Sequence, residues 1–143
     1  LRDVVPENVL LINGSPRHVK LLDLGFTRLV GTPVAADLKT SRDTRIGDPT
    51  YMAPEYIEDK GLDHRADLYS MGIVLYEALV GKPPFTGKPF EIMLAQVTER
   101  PVAPVTRRPD TPPALQHLVL SLLEKQPERR PRSAEEVIAL LGG

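Results

Sequence analysis

The sequence predicts a mainly α fold of the α+β class, and three observations carry that prediction. Two short apolar runs flank an Asn-Gly dipeptide near the start, which is typical of a β-hairpin. A long stretch over residues 26–52 then has no sustained hydrophobic periodicity. From residue 54 onward the apolar residues recur at helical spacing, with capping residues at the expected ends. The order is therefore one hairpin, one long loop and a helical bundle.

The hairpin is predicted from Val9-Leu10-Leu11-Ile12 and His18-Val19-Lys20-Leu21-Leu22, with Asn13-Gly14 at the turn. Asn and Gly tolerate the left-handed backbone that tight hairpin turns need. The loop that follows is rich in Thr, Asp, Arg, Gly and Pro. Loops of this length are uncommon in compact domains and are usually functional or disordered.

A short helix is expected near Pro54, and the strongest helical segment runs from Asp63 to Val80. Asp63 can cap its start, and Gly81 with the prolines that follow can end it. The second half, Met71 to Val80, is apolar on nearly every face. Such a helix belongs in the middle of a core.

Three further helices are predicted after it. Phe90 to Glu99 reads as amphipathic, and a proline-rich connector over residues 101–113 follows. Thr111 can cap the next helix, with Pro112 at its first position. Ser133-Ala134-Glu135-Glu136 forms a capping-box pattern that opens the last helix. The apolar residues of these last two helices are Leu115, Leu118, Leu120, Leu122, Leu123, Val137, Ile138, Leu140 and Leu141.

Composition excludes several function classes. With a net charge of −1 and 26% charged residues, the 143-residue chain has no basic field for nucleic acid. It has no cysteine, so disulfides and thiolate metal sites are excluded, and a reducing cytoplasm is the expected location. No apolar run approaches the roughly 18 residues of a membrane span. The three histidines show no metal-ligand spacing.

Three motifs occur in a fixed order. Leu1-Arg2-Asp3-Val4-Val5-Pro6-Glu7-Asn8 opens the chain, Asp23-Leu24-Gly25 begins fifteen positions after Asn8, and Ala53-Pro54-Glu55 begins thirty after Asp23. The set resembles the catalytic loop, metal-binding motif and activation-segment end of eukaryotic-like serine/threonine protein kinases, with the bacterial members the nearest in character. The resemblance divides the chain, as a partial kinase domain over 1–143, into a catalytic loop (1–8), a hairpin (9–22), an activation segment (23–55) and a helical subdomain (56–143).

The resemblance implies roles for four residues. Asp3 would accept or orient the proton of the substrate hydroxyl. Asn8 and Asp23 would bind Mg²⁺ through oxygen atoms, which suit this hard cation. Leu10 would form the floor of the pocket that binds the adenine ring. The implied cofactors are ATP and Mg²⁺, and the implied partner is a protein substrate or another protein.

The resemblance also implies scaffold and regulatory residues. Asp67 matches a helix aspartate that receives catalytic-loop N–H groups, and Glu55 matches a glutamate that pairs with an arginine, here Arg130. Thr44 lies where many relatives carry an activating phosphate, with Thr40 and Ser41 as lesser candidates. Arg2 would contribute to the pocket for that phosphate.

The chain departs from the family at two positions where function is concentrated. Val5 stands where serine/threonine kinases have a lysine that contacts the transferring phosphate, and no neighbouring cation replaces it. Asp48 stands where a threonine is usual. Loss of one preorganised donor costs about 10²–10³ in rate. Three readings stay open: a kinase with impaired activity, a pseudokinase that serves as an interaction or regulatory module, and a truncated remnant.

Because the sequence opens inside the catalytic-loop motif, we expect a fragment from which the N-terminal ATP-binding lobe is absent. The helix that normally packs on the buried helix would be absent too. The apolar second half of the Asp63 to Val80 segment is therefore predicted to be under-covered and to expose a large apolar patch.

Overall fold

A computed structural model of the protein describes residues 4–15, 17–22 and 48–142. These residues confirm a mainly helical fold with one two-stranded antiparallel sheet. The strands are β1 (Val9–Leu11) and β2 (Val19–Leu21), and the helices are α1 (Pro54–Ile57), α2 (Arg65–Val80), α3 (Pro89–Thr98), α4 (Pro104–Arg107), α5 (Pro113–Leu122) and α6 (Ala134–Leu140). Single 3₁₀ turns occupy Pro6–Asn8, Ile12–Gly14, Pro49–Tyr51 and Pro127–Arg129.

The hairpin forms at the predicted place. Val9 pairs with Leu21 and Leu11 with Val19. Asn13 has φ 53° and Gly14 has φ 67°, so both residues at the predicted turn adopt left-handed backbone. This is the conformation for which Asn-Gly dipeptides are favoured, and it explains why the sequence located the turn.

The core is built on α2. Tyr69, Ile73 and Tyr76 are fully buried along one side of this helix, where they pack with Val119 and Leu123 near the end of α5. The sequence predicted α2 as the central helix, and its burial confirms that prediction.

The two helices approach each other closely at Gly72. A Cβ atom at this position would lie 2.8 Å from Leu122 Cβ and 3.0 Å from Leu123 Cδ2. Atoms of those side chains occupy the space that any larger residue would need. The absence of a side chain at position 72 therefore permits the packing of α2 on α5.

The ends of α2 follow from its flanking residues. Gly81 ends the helix with φ 82°, and its N–H donates to the Glu77 carbonyl at 2.7 Å. The helix begins at Arg65 rather than at the predicted Asp63. Asp63 nevertheless acts as a cap, because its carboxylate accepts from the Arg65 N–H at 2.8 Å and from the Arg65 guanidinium at 2.6 Å. The Arg65 side chain lowers the pKa of the Asp63 carboxyl.

Two expectations around α5 are wrong. Thr111 does not cap the helix, because Pro112 occupies the N-cap position and no side chain accepts from the first N–H groups. The buried Thr111 hydroxyl donates instead to the Arg108 carbonyl at 2.7 Å. The helix starts at Pro113 rather than Pro112, since Pro112 keeps an extended ψ of 134° ahead of another proline. The connector before it also contains a short helix, α4, which starts at a proline.

The predicted cap of α6 is confirmed in part. The Ser133 hydroxyl accepts from the Glu136 N–H at 3.4 Å. The Glu136 carboxylate accepts from the Arg132 N–H at 2.6 Å, one residue earlier than in a standard capping box. His64 contacts the Arg132 carbonyl through Nε2 at 2.7 Å, which ties this turn to the start of α2.

The prediction that the second half of α2 exposes a large apolar patch is wrong. Among residues 71–80 no large apolar side chain is exposed, although several are half-buried. Of the large apolar side chains that the structure describes, that of Phe90 on α3 is the most exposed, at 71%. The other exposed ones lie on the hairpin and at its end, on α3, at Val102, at Val105 of α4, and at the C-terminal end of the chain in and after α6. None of the helices in the described part of the chain is long and apolar enough to cross a membrane.

Candidate functional site

The turn before β1 holds Asn8 beside the end of β2. The Asn8 N–H donates to the Val5 carbonyl at 3.0 Å, which closes the 3₁₀ turn Pro6–Asn8. The Leu22 N–H donates to the Asn8 carbonyl at 2.7 Å. The hairpin register therefore places Asn8 against the residue that immediately precedes Asp23 in the sequence.

Several predicted site residues lie outside the described part of the chain. These are Asp3 and Asp23 of the catalytic set, Arg2, and the candidate phosphorylation sites Thr44, Thr40 and Ser41. Their predicted roles stay predictions. Asn8, Leu10, Val5 and Asp48 are described and can be placed.

Leu10 lies in the middle of β1, opposite Lys20 of β2. Its side chain is 45% exposed. Neighbouring residues of a strand point to opposite faces, so Leu10 lies on the face opposite that of Val9 and Leu11. An apolar side chain held in an exposed strand position is compatible with contact to a flat apolar ligand.

Val5 occupies an extended, half-buried position beside the fully covered Val4. Its neighbours toward β1 are Pro6, Glu7 and Asn8, so residues 4–8 contain no basic side chain. The position where the resemblance to kinases leads us to expect a cation is apolar here.

Asp48 caps the 3₁₀ turn Pro49–Tyr51. Its Oδ1 accepts from the Thr50 N–H at 2.9 Å, and its carbonyl accepts from the Tyr51 N–H at 3.1 Å. Asp and Thr both serve as caps of this kind. The structure therefore gives Asp48 a local role that does not depend on catalysis.

Tyr51 anchors the segment that follows. Its hydroxyl donates to Glu77 Oε2 at 2.7 Å, and its carbonyl accepts from the Ser70 hydroxyl at 2.7 Å. Burial, and then the Glu77 carboxylate, raise the pKa of the Tyr51 hydroxyl. Both anchors come from α2, so the core helix positions residues 49–51.

The predicted pairing of Glu55 with Arg130 is confirmed. The guanidinium donates to both carboxylate oxygens, at 2.7 and 2.8 Å, and both side chains are buried. Its remaining donors reach the carbonyls of Arg65, Glu124 and Lys125. All five N–H groups of the guanidinium are thus satisfied. The pair fastens α1 to the turn after α5.

Sequence reasoning missed a buried polar cluster beneath the same segment. Gln96 of α3 is completely buried, and its amide contacts residues 49 and 50 as well as Tyr69. One feature of the sequence could have indicated this cluster: Gln96 follows Ile92 by four positions, which places a polar residue on the apolar face of an amphipathic helix. Tyr69 in turn accepts from Lys125 Nζ at 3.1 Å.

Within the described residues no group of three or more His, Cys, Asp or Glu side chains is arranged to hold a metal ion. Asn8 supplies an amide oxygen donor of the kind that Mg²⁺ accepts, next to the residue before Asp23. Asp23, its predicted partner in Mg²⁺ binding, lies outside the described residues, so the magnesium site stays a prediction.

Comparison with known sequences decides the family. The model described as the protein kinase domain matches residues 1–140. The chain belongs to the protein kinase family. Serine/threonine-protein kinase pkn3 of Myxococcus xanthus is 37% identical over 139 residues, which cover 94% of this chain and 25% of that protein. The similarity to bacterial serine/threonine kinases that the motifs predicted is confirmed.

Two further relatives show how the similarity extends. Serine/threonine-protein kinase PknB of Mycolicibacterium smegmatis is 37% identical over 139 residues, covering 96% of this chain and 22% of that protein. Serine/threonine-protein kinase ULK3 of Xenopus laevis is 35% identical over 128 residues, covering 90% of this chain and 26% of that protein. The chain thus spans about a quarter of the length of these relatives.

Proposed function

We propose that this chain is the part of a serine/threonine protein kinase that positions the acceptor hydroxyl and the metal-bound phosphates of ATP, with transfer impaired by Val5. The observation that carries the proposal is the contact of the Leu22 N–H with the Asn8 carbonyl at 2.7 Å. This contact places Asn8 beside Leu22, the residue that precedes the Asp23-Leu24-Gly25 motif in the sequence. Phosphoryl transfer requires the metal-binding residues of both motifs at one site.

Each catalytic residue has a role in this proposal. Asp3 takes or orients the proton of the acceptor serine or threonine hydroxyl. Asn8 and Asp23 hold Mg²⁺, which neutralises phosphate charge when bound. Leu10 lies under the adenine ring, for which its exposed apolar side chain is suited. The protein's contribution is positioning and electrostatics rather than covalent chemistry.

The acceptor-binding segment is residues 48–52 in this proposal. Its support is the set of fixed contacts that Asp48, Tyr51 and Ser70 make around the 3₁₀ turn. A segment held by buried side chains of the core presents a constant surface to a peptide. Peptide selectivity is therefore a property of this turn and the residues beneath it.

Impaired transfer follows from the apolar character of position 5. Charge that develops on the transferring phosphoryl oxygens is stabilised by preorganised donors. Val5 offers none, and Glu7, two positions later, carries the opposite charge. This observation also favours a second candidate function, a pseudokinase that keeps the fold as an interaction or regulatory module.

The test is transfer of labelled γ-phosphate from ATP to a peptide library with fixed serine or threonine acceptors, using the complete polypeptide that carries this sequence. We expect slow but measurable labelling that Asp3→Asn abolishes. Asp59→Asn is the matched control, because Asp59 is exposed and has φ 56°, a conformation that asparagine adopts readily. Labelling that is absent in the unaltered protein, or that survives Asp3→Asn, would favour the pseudokinase.

A further inference from the structure

The carbonyl groups of the 3₁₀ turn Pro49–Tyr51 point toward side chains of the core rather than toward water. The Thr50 carbonyl accepts from Gln96 Nε2 at 2.6 Å, and the Pro49 carbonyl accepts from the same nitrogen at 3.3 Å. The Tyr51 carbonyl accepts from the Ser70 hydroxyl. Gln96 therefore donates to two of the three carbonyls of this turn, and the Pro49 carbonyl also accepts from the Met52 N–H at 3.4 Å.

Gln96 is completely buried, so its amide must find all its partners inside the protein. Its Nε2 group has two hydrogens, and the two carbonyls use both. Its Oε1 accepts from the Tyr69 hydroxyl at 2.6 Å. Because carbonyl groups cannot donate, the amide can bind the turn in one orientation only, with the oxygen facing Tyr69.

Tyr69 and Lys125 fix that orientation from below. Lys125 Nζ donates to the Tyr69 hydroxyl oxygen at 3.1 Å, and an ammonium group can only donate. The Tyr69 hydrogen is thereby directed to Gln96. Lys125 itself lies 4.5 Å from the centre of the Phe85 ring and 5.5 Å from that of Tyr69. The donor direction is the same throughout, from Lys125 to Tyr69 to Gln96.

We infer that Gln96 is a positioning residue that sets the backbone of residues 49–50 for binding of the acceptor peptide. The inference rests on the proposed function, in which residues 48–52 contact the acceptor. Gln96 is buried, so it acts through the turn and not on the reacting atoms. Its loss changes where the peptide is held, whereas the chemistry at Asp3 stays as it was.

The experiment compares Gln96→Met with the unaltered protein in the peptide-transfer assay. Methionine keeps the side-chain length and removes both donors. We expect the KM for the acceptor peptide to rise about tenfold, in line with the cost of small misplacements in a bound substrate. The kcat at saturating peptide and the KM for ATP should stay within about twofold, because the contacts of Gln96 are to the turn that holds the peptide and to Tyr69. Tyr69→Phe should shift the peptide KM in the same direction by less.

Gln116→Met is the matched control, since Gln116 also satisfies a backbone group, the Val105 N–H at 2.9 Å, but lies away from residues 48–52. It should leave the peptide KM unchanged. An unchanged peptide KM in Gln96→Met would overturn the inference. So would a fall in kcat together with a rise in the KM values for both the peptide and ATP.

If no phosphate is transferred at all, that result counts against the proposed function but does not test the role of Gln96. A second measurement then decides whether Gln96 positions the turn. Hydrogen–deuterium exchange of peptides covering residues 48–53 should be faster in Gln96→Met than in Gln116→Met. Equal exchange in the two variants would contradict a positioning role, whatever the activity of the protein.

Discussion

Glu55 and Arg130 are 75 positions apart in the sequence, yet they meet through two parallel hydrogen bonds of 2.7 and 2.8 Å in the interior of the protein. The Arg130 guanidinium also lies over the Tyr69 ring, 4.8 Å from its centre. This pair joins α1, which directly follows residues 48–53, to the C-terminal part of the bundle. The conformation of residues 48–55 thus depends on a contact made far along the chain.

Removal of one partner of this pair should be strongly destabilising. Arg130→Met leaves the Glu55 carboxylate buried without its cation, and we expect a loss of about 3–5 kcal/mol in the free energy of unfolding. Urea denaturation followed by circular dichroism measures it. Lys60→Met is the control, because Lys60 forms an exposed pair with Glu58. A similar loss in both variants would show that burial of the pair is not what matters.

Gly72→Ala should destabilise the packing of α2 on α5. The added Cβ would lie 2.8 Å from Leu122 Cβ, closer than such atoms approach, so one helix must move. Overpacking of this kind costs about 1–3 kcal/mol. Gly61→Ala is the matched control, since a Cβ at Gly61 meets nothing within 4 Å. The melting temperatures of the two variants provide the comparison, and a drop in both, or in neither, would contradict the account.

Lys125 should make stability depend on pH in the alkaline range. Burial, and then the neighbouring Arg130, lower the pKa of Lys125 to about 8, while Glu99 and Glu124 act in the opposite direction. Between this pKa and that of an unfolded lysine, near 10.5, the unfolded chain binds more protons. The contribution of Lys125 to stability therefore rises as the pH increases through that window.

Lys125→Met removes the group that titrates, so the rise should be smaller in that variant. The measurement is the free energy of unfolding at intervals from pH 7 to pH 10.5. Burial raises the pKa of Tyr69 and Tyr51, so these two groups lower the free energy of unfolding at the alkaline end of the range. Because all the variants keep both tyrosines, comparing them cancels most of this tyrosine contribution. Lys88→Met, at an exposed position, is the control. A pH dependence that is the same in all three proteins would argue against a depressed pKa at Lys125.

The parts of the fold that the sequence predicted are those with local signals. Asn13-Gly14 marks its own turn because both residues adopt left-handed backbone. Gly81 marks the end of α2 for the same reason. The pairing of Glu55 with Arg130 was predictable only through resemblance to kinases, because nothing in the local sequence links the two positions.

The parts that were missed depend on contacts between distant residues. Gln96 binds carbonyls 46 and 47 positions away and a tyrosine 27 positions away, so no local pattern reports its role. Thr111 resembled a helix cap, but the helix starts one residue later than predicted, so Pro112 stands at the cap position. The cover over the second half of α2 could not be judged from hydrophobicity alone, since it depends on where the other helices pack.

The central claim is that Val5 limits phosphoryl transfer in an otherwise kinase-like site. The most direct measurement is the initial rate of γ-phosphate transfer to the acceptor peptide by the unaltered protein and by the double variant Val5→Lys, Asp48→Thr. We predict an increase of about 10²–10³, the usual effect of one preorganised donor. In both proteins Asp3→Asn should abolish transfer. An unchanged rate in a double variant that is folded and binds ATP would contradict the account.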